Sequence, residues 1–150
     1  MSGTGAMGSK FLYNVFKYGS EVAAYSVLGA GTGVEASHCI MDTMINVVRF
    51  NNSKGIANEN VSTMVRDHGI IFDNAATGIC LQNTITKTNK SGAAVIFSGG
   101  ATGYAWKNKV NGFNWGMASY WGAVPMFGYT TNLGVNNNVT NCLNGLMIYN

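Results

Sequence analysis

Four segments of this chain place three apolar residues inside a five-step span from glycine to asparagine: Gly69-Ile-Ile-Phe-Asp-Asn74, Gly78-Ile-Cys-Leu-Gln-Asn83, Gly103-Tyr-Ala-Trp-Lys-Asn108 and Gly145-Leu-Met-Ile-Tyr-Asn150. A chain with 20 glycines and 19 asparagines in 150 residues would contain about 0.3 such spans by chance. A second unit interlocks with the first. It runs from one asparagine to another six residues on and then to a glycine: Asn46 to Asn52 and Gly55, Asn83 to Asn89 and Gly92, Asn108 to Asn114 and Gly116, Asn138 to Asn144 and Gly145. Fixed-period repetition means a stacked architecture, because one repeat cannot bury its apolar face alone.

The glycines that open apolar stretches, Gly33, Gly55, Gly78, Gly103 and Gly128, recur at roughly 22 to 25 residues. That length suits three short strands and three turns. Helical solenoids use longer repeats, and these segments are rich in Val, Ile, Thr and aromatic residues. The expected fold is an all-β, right-handed parallel β-helix of about five coils. Residues 34–150 form the β-helix, 11–33 an irregular or short helical N-terminal cap or first coil, and 1–10, with its Gly5-Ala-Met-Gly-Ser9 run, an appended or disordered lead. Alternation in Thr84-Ile-Thr-Lys-Thr88 turns Ile85 inward if the threonines face out. Glycine and asparagine are expected at corners because both accept left-handed backbone, and stacked asparagines are expected to bond in a ladder.

Charged residues make up only 10% of the chain, and none occurs from Val110 to Asn150. Nine scattered basic residues argue against a nucleic-acid partner, and no apolar run is long enough to insert into a membrane. Cys39, Cys80 and Cys142 cannot all pair, share no metal-ligand spacing, and are expected as buried free thiols. Six acids, Glu21, Glu35, Asp42, Glu59, Asp67 and Asp73, are too few for a dense calcium site, so no metal and no cofactor is expected. Gly29-Ala-Gly-Thr-Gly33 has Val34 where the dinucleotide fingerprint needs its third glycine. His38 and Cys39 are adjacent, and on a strand they would point to opposite faces.

The stretch Gly78-Ile-Cys-Leu-Gln-Asn-Thr-Ile-Thr-Lys-Thr-Asn-Lys-Ser-Gly-Ala-Ala-Val-Ile-Phe97 resembles the repeat of right-handed parallel β-helix proteins of the pectate-lyase-like superfamily. These include polysaccharide lyases, polygalacturonases, alginate epimerases and phage tailspikes. The resemblance implies a polysaccharide partner, an extracellular or virion-surface setting and, on the tailspike side, a homo-oligomer such as a trimer. The expected function is polysaccharide binding, within a degrading enzyme or a tailspike. The alternatives are a non-catalytic structural or oligomerisation stalk, and a uronate lyase or epimerase using Arg66, Asp67 and His68.

Arg66-Asp67-His68, with Asp73 six residues later, is the place where cation, carboxylate and imidazole meet. A lyase needs a base and a cation, and a glycoside hydrolase needs two carboxyl groups, which Asp67 and Asp73 would supply. The low acid count favours binding without catalysis. Trp115, Tyr120 and Trp121, read as part of an insertion before Pro125, are the expected sugar-stacking residues, whereas Trp106 is expected to take the inward place of Phe72 and Leu81.

Overall fold

In a computed structural model, which describes residues 10–19, 22–24, 33–128 and 136–149, the chain winds as a parallel β-solenoid. Each rung contributes three strands. The first is β1 (Lys10–Leu12), β2 (Val15–Lys17) and β3 (Val22–Ala24); the second is β4 (Gly33–Ser37), β5 (Ile40–Asp42) and β6 (Asn46–Asn51). The third is β7 (Lys54–Asn58), β8 (Val61–Thr63) and β9 (His68–Asp73); the fourth is β10 (Thr77–Leu81), β11 (Thr84–Thr86) and β12 (Ala93–Phe97). The fifth is β13 (Thr102–Trp106), β14 (Lys109–Asn111) and β15 (Trp115–Tyr120); the last is β16 (Val124–Phe127), β17 (Asn138–Thr140) and β18 (Asn144–Tyr149).

Like strands stack into three six-stranded parallel sheets, and five turns separate β1 from β16. At roughly 4.8 Å per rung they span about 24 Å. The column Phe11, Ala36, Ala57, Cys80, Ala105, Phe127 advances by 25, 21, 23, 25 and 22 residues. The repeat length read from the glycines is therefore the coil length. Gly55, Gly78 and Gly103 are in register, but Gly33 stands one residue before that column and Gly128 three residues after Pro125, its member in the last rung.

The interior is filled by the third sheet, whose Phe50, Phe72 and Phe97 stack with centroids 5.0 and 4.7 Å apart and planes within 16°. The facing first sheet must then be small. A Cβ on Gly55 would come within 2.2 Å of the Phe50 ring, and one on Gly78 within 1.9 Å of the Phe72 ring. Ala57, Cys80 and Ala105 complete that thin wall. In the fifth rung Ser119 takes the phenylalanine position, and Phe127 of the first sheet fills the space, edge-on to Phe97 at 5.9 Å. Ile85 is buried, as the alternation requires, and Cys39 and Cys80 are buried free thiols, with Cys142 half-buried.

Asn60, Asn83, Asn108 and Asn137 form a ladder at the corner between the first and second sheets. Each Oδ1 accepts from the backbone N–H of the ladder residue one rung earlier, Cys39, Asn60, Asn83 and Asn108 respectively, at 3.0 to 3.1 Å. The Nδ2 groups donate to the Ala36, Ala57, Cys80 and Ala105 carbonyls at 2.7 to 2.9 Å. Cys39 holds the ladder position of the second rung, its thiol donating to the Phe11 carbonyl at 3.3 Å.

Several expectations change. The left-handed backbone at this corner falls on the residue before the ladder: Tyr13, His38, Glu59, Gln82 and Lys107, with φ of 51 to 57°. None is glycine or asparagine. Of the Asn-to-Asn units, those starting at Asn83 and Asn108 are equivalent; Asn138 is one residue beyond the ladder, and Asn46 lies in the third sheet. Trp106 is in register with Leu81, half-buried with its ring against Tyr104, whereas Phe72 belongs to another sheet. Residues 10–19 and 22–24 form a first rung of strands, not a helix, and Lys10 opens β1. The rest of the expected cap and lead, and Asn150, lie outside the described residues.

Replacing Asn83 by Ala orphans the Asn60 N–H and the Ala57 carbonyl, at about 2 kcal/mol each, so about 4 kcal/mol of stability should be lost. Asn137→Ala, at a half-buried position that water can reach, should cost less than half of that. Urea midpoints at unchanged slope are the measurement.

Candidate functional site

On the outward face of the third sheet a groove of roughly 400 Å³ is lined by Asn46, Arg49, Asp67, His68, Ile71, Asp73, Ile96, Ser98, Tyr120 and Trp121. Register explains why these residues meet. Asn46 pairs with His68 and Asn51 with Asp73, while Arg49, Ile71, Ile96 and Ala118 form one column. Ile71, Ala93, Ile96 and Ala118 are a second buried apolar cluster, separate from the main core, with Trp115, Tyr120 and Met147 packed against it. The groove thus has an apolar floor on an otherwise outward surface.

One salt bridge and one histidine–carboxylate contact lie along it. Arg49 Nε donates to Asp73 Oδ2 at 2.9 Å, and Nη2 reaches the same oxygen. Asp73 is only 7% exposed, and its Oδ1 has no donor. His68 Nδ1 lies 2.9 Å from Asp67 Oδ2, on side chains open to solvent. Asn46 Oδ1 is likewise buried without a donor. Burial raises the Tyr120 hydroxyl above its ordinary pKa.

Beneath the Arg66–Asp67 turn lies Lys87, 2% exposed. Its ammonium donates to the Arg66 and Asp67 carbonyls, both at 2.6 Å, and sits 5.6 Å from the centroid of the Phe113 ring. The amine fixes the backbone that carries the Asp67–His68 pair. Burial holds its pKa below the ordinary lysine value, partly offset by the Asp67 charge.

Trp121 closes one end. The corner after β6, β9, β12 and β15 passes through a left-handed residue, Asn52, Asn74, Gly99 and Trp121 respectively, at φ of 49, 50, 58 and 50°. Asparagine and glycine suit that conformation, and tryptophan does not. Trp121 is nevertheless 68% exposed, its ring 6.0 Å from that of Tyr120.

Of the residues singled out by sequence, Asp67, His68, Asp73, Tyr120 and Trp121 converge on this groove. Arg66 does not line it, and its place as the groove's cation is taken by Arg49. Trp115 packs beside the apolar floor, with Nε1 donating to Met147 Sδ at 3.1 Å. Trp115 and Tyr120 belong to the regular strand β15, not to an insertion. Two charged residues went unnoticed, although a signal for each was present. Arg49 stacks on Ile71, one coil on and two residues before Asp73 on the same face of the strand, so coil period and strand alternation together bring the pair into reach; and alternation from Ile85 turns Lys87 inward.

Among the described residues no group of three or more His, Cys, Asp or Glu side chains is placed to hold a metal ion, and no helix is long and apolar enough to cross a membrane. No family model, curated protein or solved structure matches the chain.

Lys87 generates a pH prediction. Its folded pKa lies below the unfolded value, so between the two the unfolded chain binds more protons and stability rises with pH. Lys87→Met should remove that alkaline gain while orphaning two carbonyls. Urea midpoints of wild type and variant from neutral pH to the lysine range should diverge as pH rises.

Proposed function

We propose that this solenoid is a polysaccharide-binding module whose ligand lies along the groove of the third sheet. Trp121 carries the reading: an exposed aromatic ring held in a strained backbone conformation at the edge of a groove that also contains carboxylate, guanidinium and imidazole groups. That backbone, at about 1–2 kcal/mol, is shared by Tyr18, Thr43 and Met64 at another corner, so it is the ring's exposure beside these polar groups that favours a ligand. Aromatic faces stack on the C–H faces of sugar rings, and the paired charges offer donors and acceptors to hydroxyl groups. Binding without turnover is favoured over uronate elimination, since the groove's guanidinium is already committed to Asp73 and Arg66 lies outside.

Trp121→Gly separates folding from binding. Glycine relieves the left-handed strain, so stability should hold or rise by up to about 1 kcal/mol. Affinity for a bound oligosaccharide should fall by about tenfold, roughly 1.4 kcal/mol. Calorimetric titration and thermal unfolding of the same variant check both halves, and undiminished affinity overturns the reading.

A second reading, a structural stalk that associates through its sides, is supported by the outward face of the first sheet. Ile56, Ile79, Tyr104 and Met126 form one register column there, three of them exposed, above an apolar cleft of roughly 480 Å³. Apolar strips of this sort mark contact surfaces. Light scattering should then report an oligomer that Ile56→Lys or Tyr104→Lys dissociates; a monodisperse wild-type monomer overturns this second reading.

A further inference from the structure

The first and last rungs of the coil are complementary to each other. We infer that the chain associates end to end with copies of itself, the first rung of one copy (β1, β2, β3) stacking on the last rung of its neighbour (β16, β17, β18), so that sheets, core and asparagine ladder run through the junction. This contact is independent of the groove and of the side face described above.

The last rung leaves core positions uncovered. Leu146 is in register with Met117 and Ile148 with Ser119, both buried one rung earlier. Leu146 is nevertheless 52% exposed and Ile148 66%. Phe127 and Val139, which hold inward columns of the other two sheets, are half-buried there. Among the described residues β16, β17 and β18 each end their sheet, as β1, β2 and β3 do at the other end. Apolar side chains framed by three open strand edges form a template for further parallel strands.

The first rung carries the groups that continue it. Asn14 follows the left-handed Tyr13, and its carbonyl accepts from Ile40 N–H as those of Cys39 and Asn60 accept from Val61 and Thr84, so it holds the ladder position. Its side chain is exposed and turned back to the Leu12 carbonyl at 3.1 Å. In later rungs the ladder asparagine donates to the first-sheet carbonyl of the rung before and accepts from the ladder N–H of that rung, as Asn137 does with Ala105 and Asn108. On a neighbouring copy the next members of those two columns are the Phe127 carbonyl and the Asn137 N–H. The cores match as well. In a first-sheet column of Ala and Cys, the two end rungs alone carry phenylalanine, Phe11 and Phe127, so the abutting rungs have their bulk on the same wall. The last rung holds no charged residue to oppose Lys10 or Lys17. Because the two surfaces differ, the contact does not close on itself and builds an open rod.

Sedimentation velocity of the full chain over a concentration series tests this. Wild type should form a series of multiples that grows with concentration, and negative-stain images should show rods lengthening in steps of roughly 29 Å, six rungs. Asn14→Ala should weaken association by about tenfold, with an unchanged urea midpoint at a dilution where both proteins are monomeric. Ile148→Lys and Asn14→Lys change side chains exposed in the single coil, and each places a charge in one half of the junction. Either variant alone should stay monomeric, and a mixture of the two should form a dimer and nothing larger, because each retains the end that the other lacks. A mixture that stays monomeric overturns the inference, as do oligomers that survive both substitutions and dissociate with Ile56→Lys. A wild-type monomer at every concentration overturns it together with the stalk reading.

Discussion

The inward asparagine ladder is the contact on which the coil depends. Where the wall turns from the first sheet to the second, backbone groups leave one ladder before they enter the next, and no water reaches them inside. A side-chain amide offers the donor and acceptor that a peptide would, and a column of them runs parallel to the sheets as a further hydrogen-bonded strip. Turning each asparagine inward puts the preceding residue into left-handed backbone, at about 1–2 kcal/mol for a residue with a side chain. Tyr13, His38, Glu59, Gln82 and Lys107 take that conformation, and at the central rungs the bonds made by the next side chain outweigh it. Because the ladder bears the cost, the corner residue is free to be of almost any chemical type.

A stacked coil also needs a constant cross-section. The phenylalanine column of the third sheet uses most of the interior, and the first sheet opposes it with glycine and alanine. Shape is conserved by the sum across the two walls. Where Ser119 shortens one wall, Phe127 lengthens the other a rung later, and Ser119 Oγ donates to the Ala123 carbonyl at 3.1 Å, so the hydroxyl is not left bare in the core. This complementarity holds the register that places Asn46 beside His68 and Arg49 beside Ile71, within reach of Asp73.

Coil length and all-β character were legible in the sequence, because each reflects a local requirement repeated several times. The two asparagine families were not. Asn83 and Asn108 point inward, whereas Asn52 and Asn74 adopt left-handed backbone at another corner, and composition cannot separate a side chain that bonds from a backbone that bends. Trp106 was misplaced for a related reason: its Gly-to-Asn span matches that of Phe72, but the two spans belong to different sheets with opposite relations to the interior. The groove was half legible. Asp67, His68 and Asp73 are close in sequence, while Arg49 and Lys87 reach the same region by stacking from neighbouring coils, a relation visible only once residues one period apart are compared.

Left-handed backbone occurs at all three corners, at the second on Tyr18, Thr43, Met64 and Asn141, and what accompanies it differs. At the first, His38, Glu59, Gln82 and Lys107 are each followed by a side chain that bonds inside the coil. At the third, Asn52, Asn74 and Gly99 are residues suited to the conformation, and Trp121 breaks the series without a buried contact of its own, since most of the ring faces solvent. Its backbone is fixed from the next rung, with the N–H donating to the Tyr149 carbonyl at 3.0 Å, so the coil imposes the conformation and the ring gains little from it. The same rim holds Asp73, an acid with one oxygen paired and the other bare. The coil likewise imposes left-handed backbone on the exposed Tyr18 and Met64 at the second corner, so the conformation of Trp121 belongs to the fold, and only the place of its ring beside Asp73 belongs to the groove.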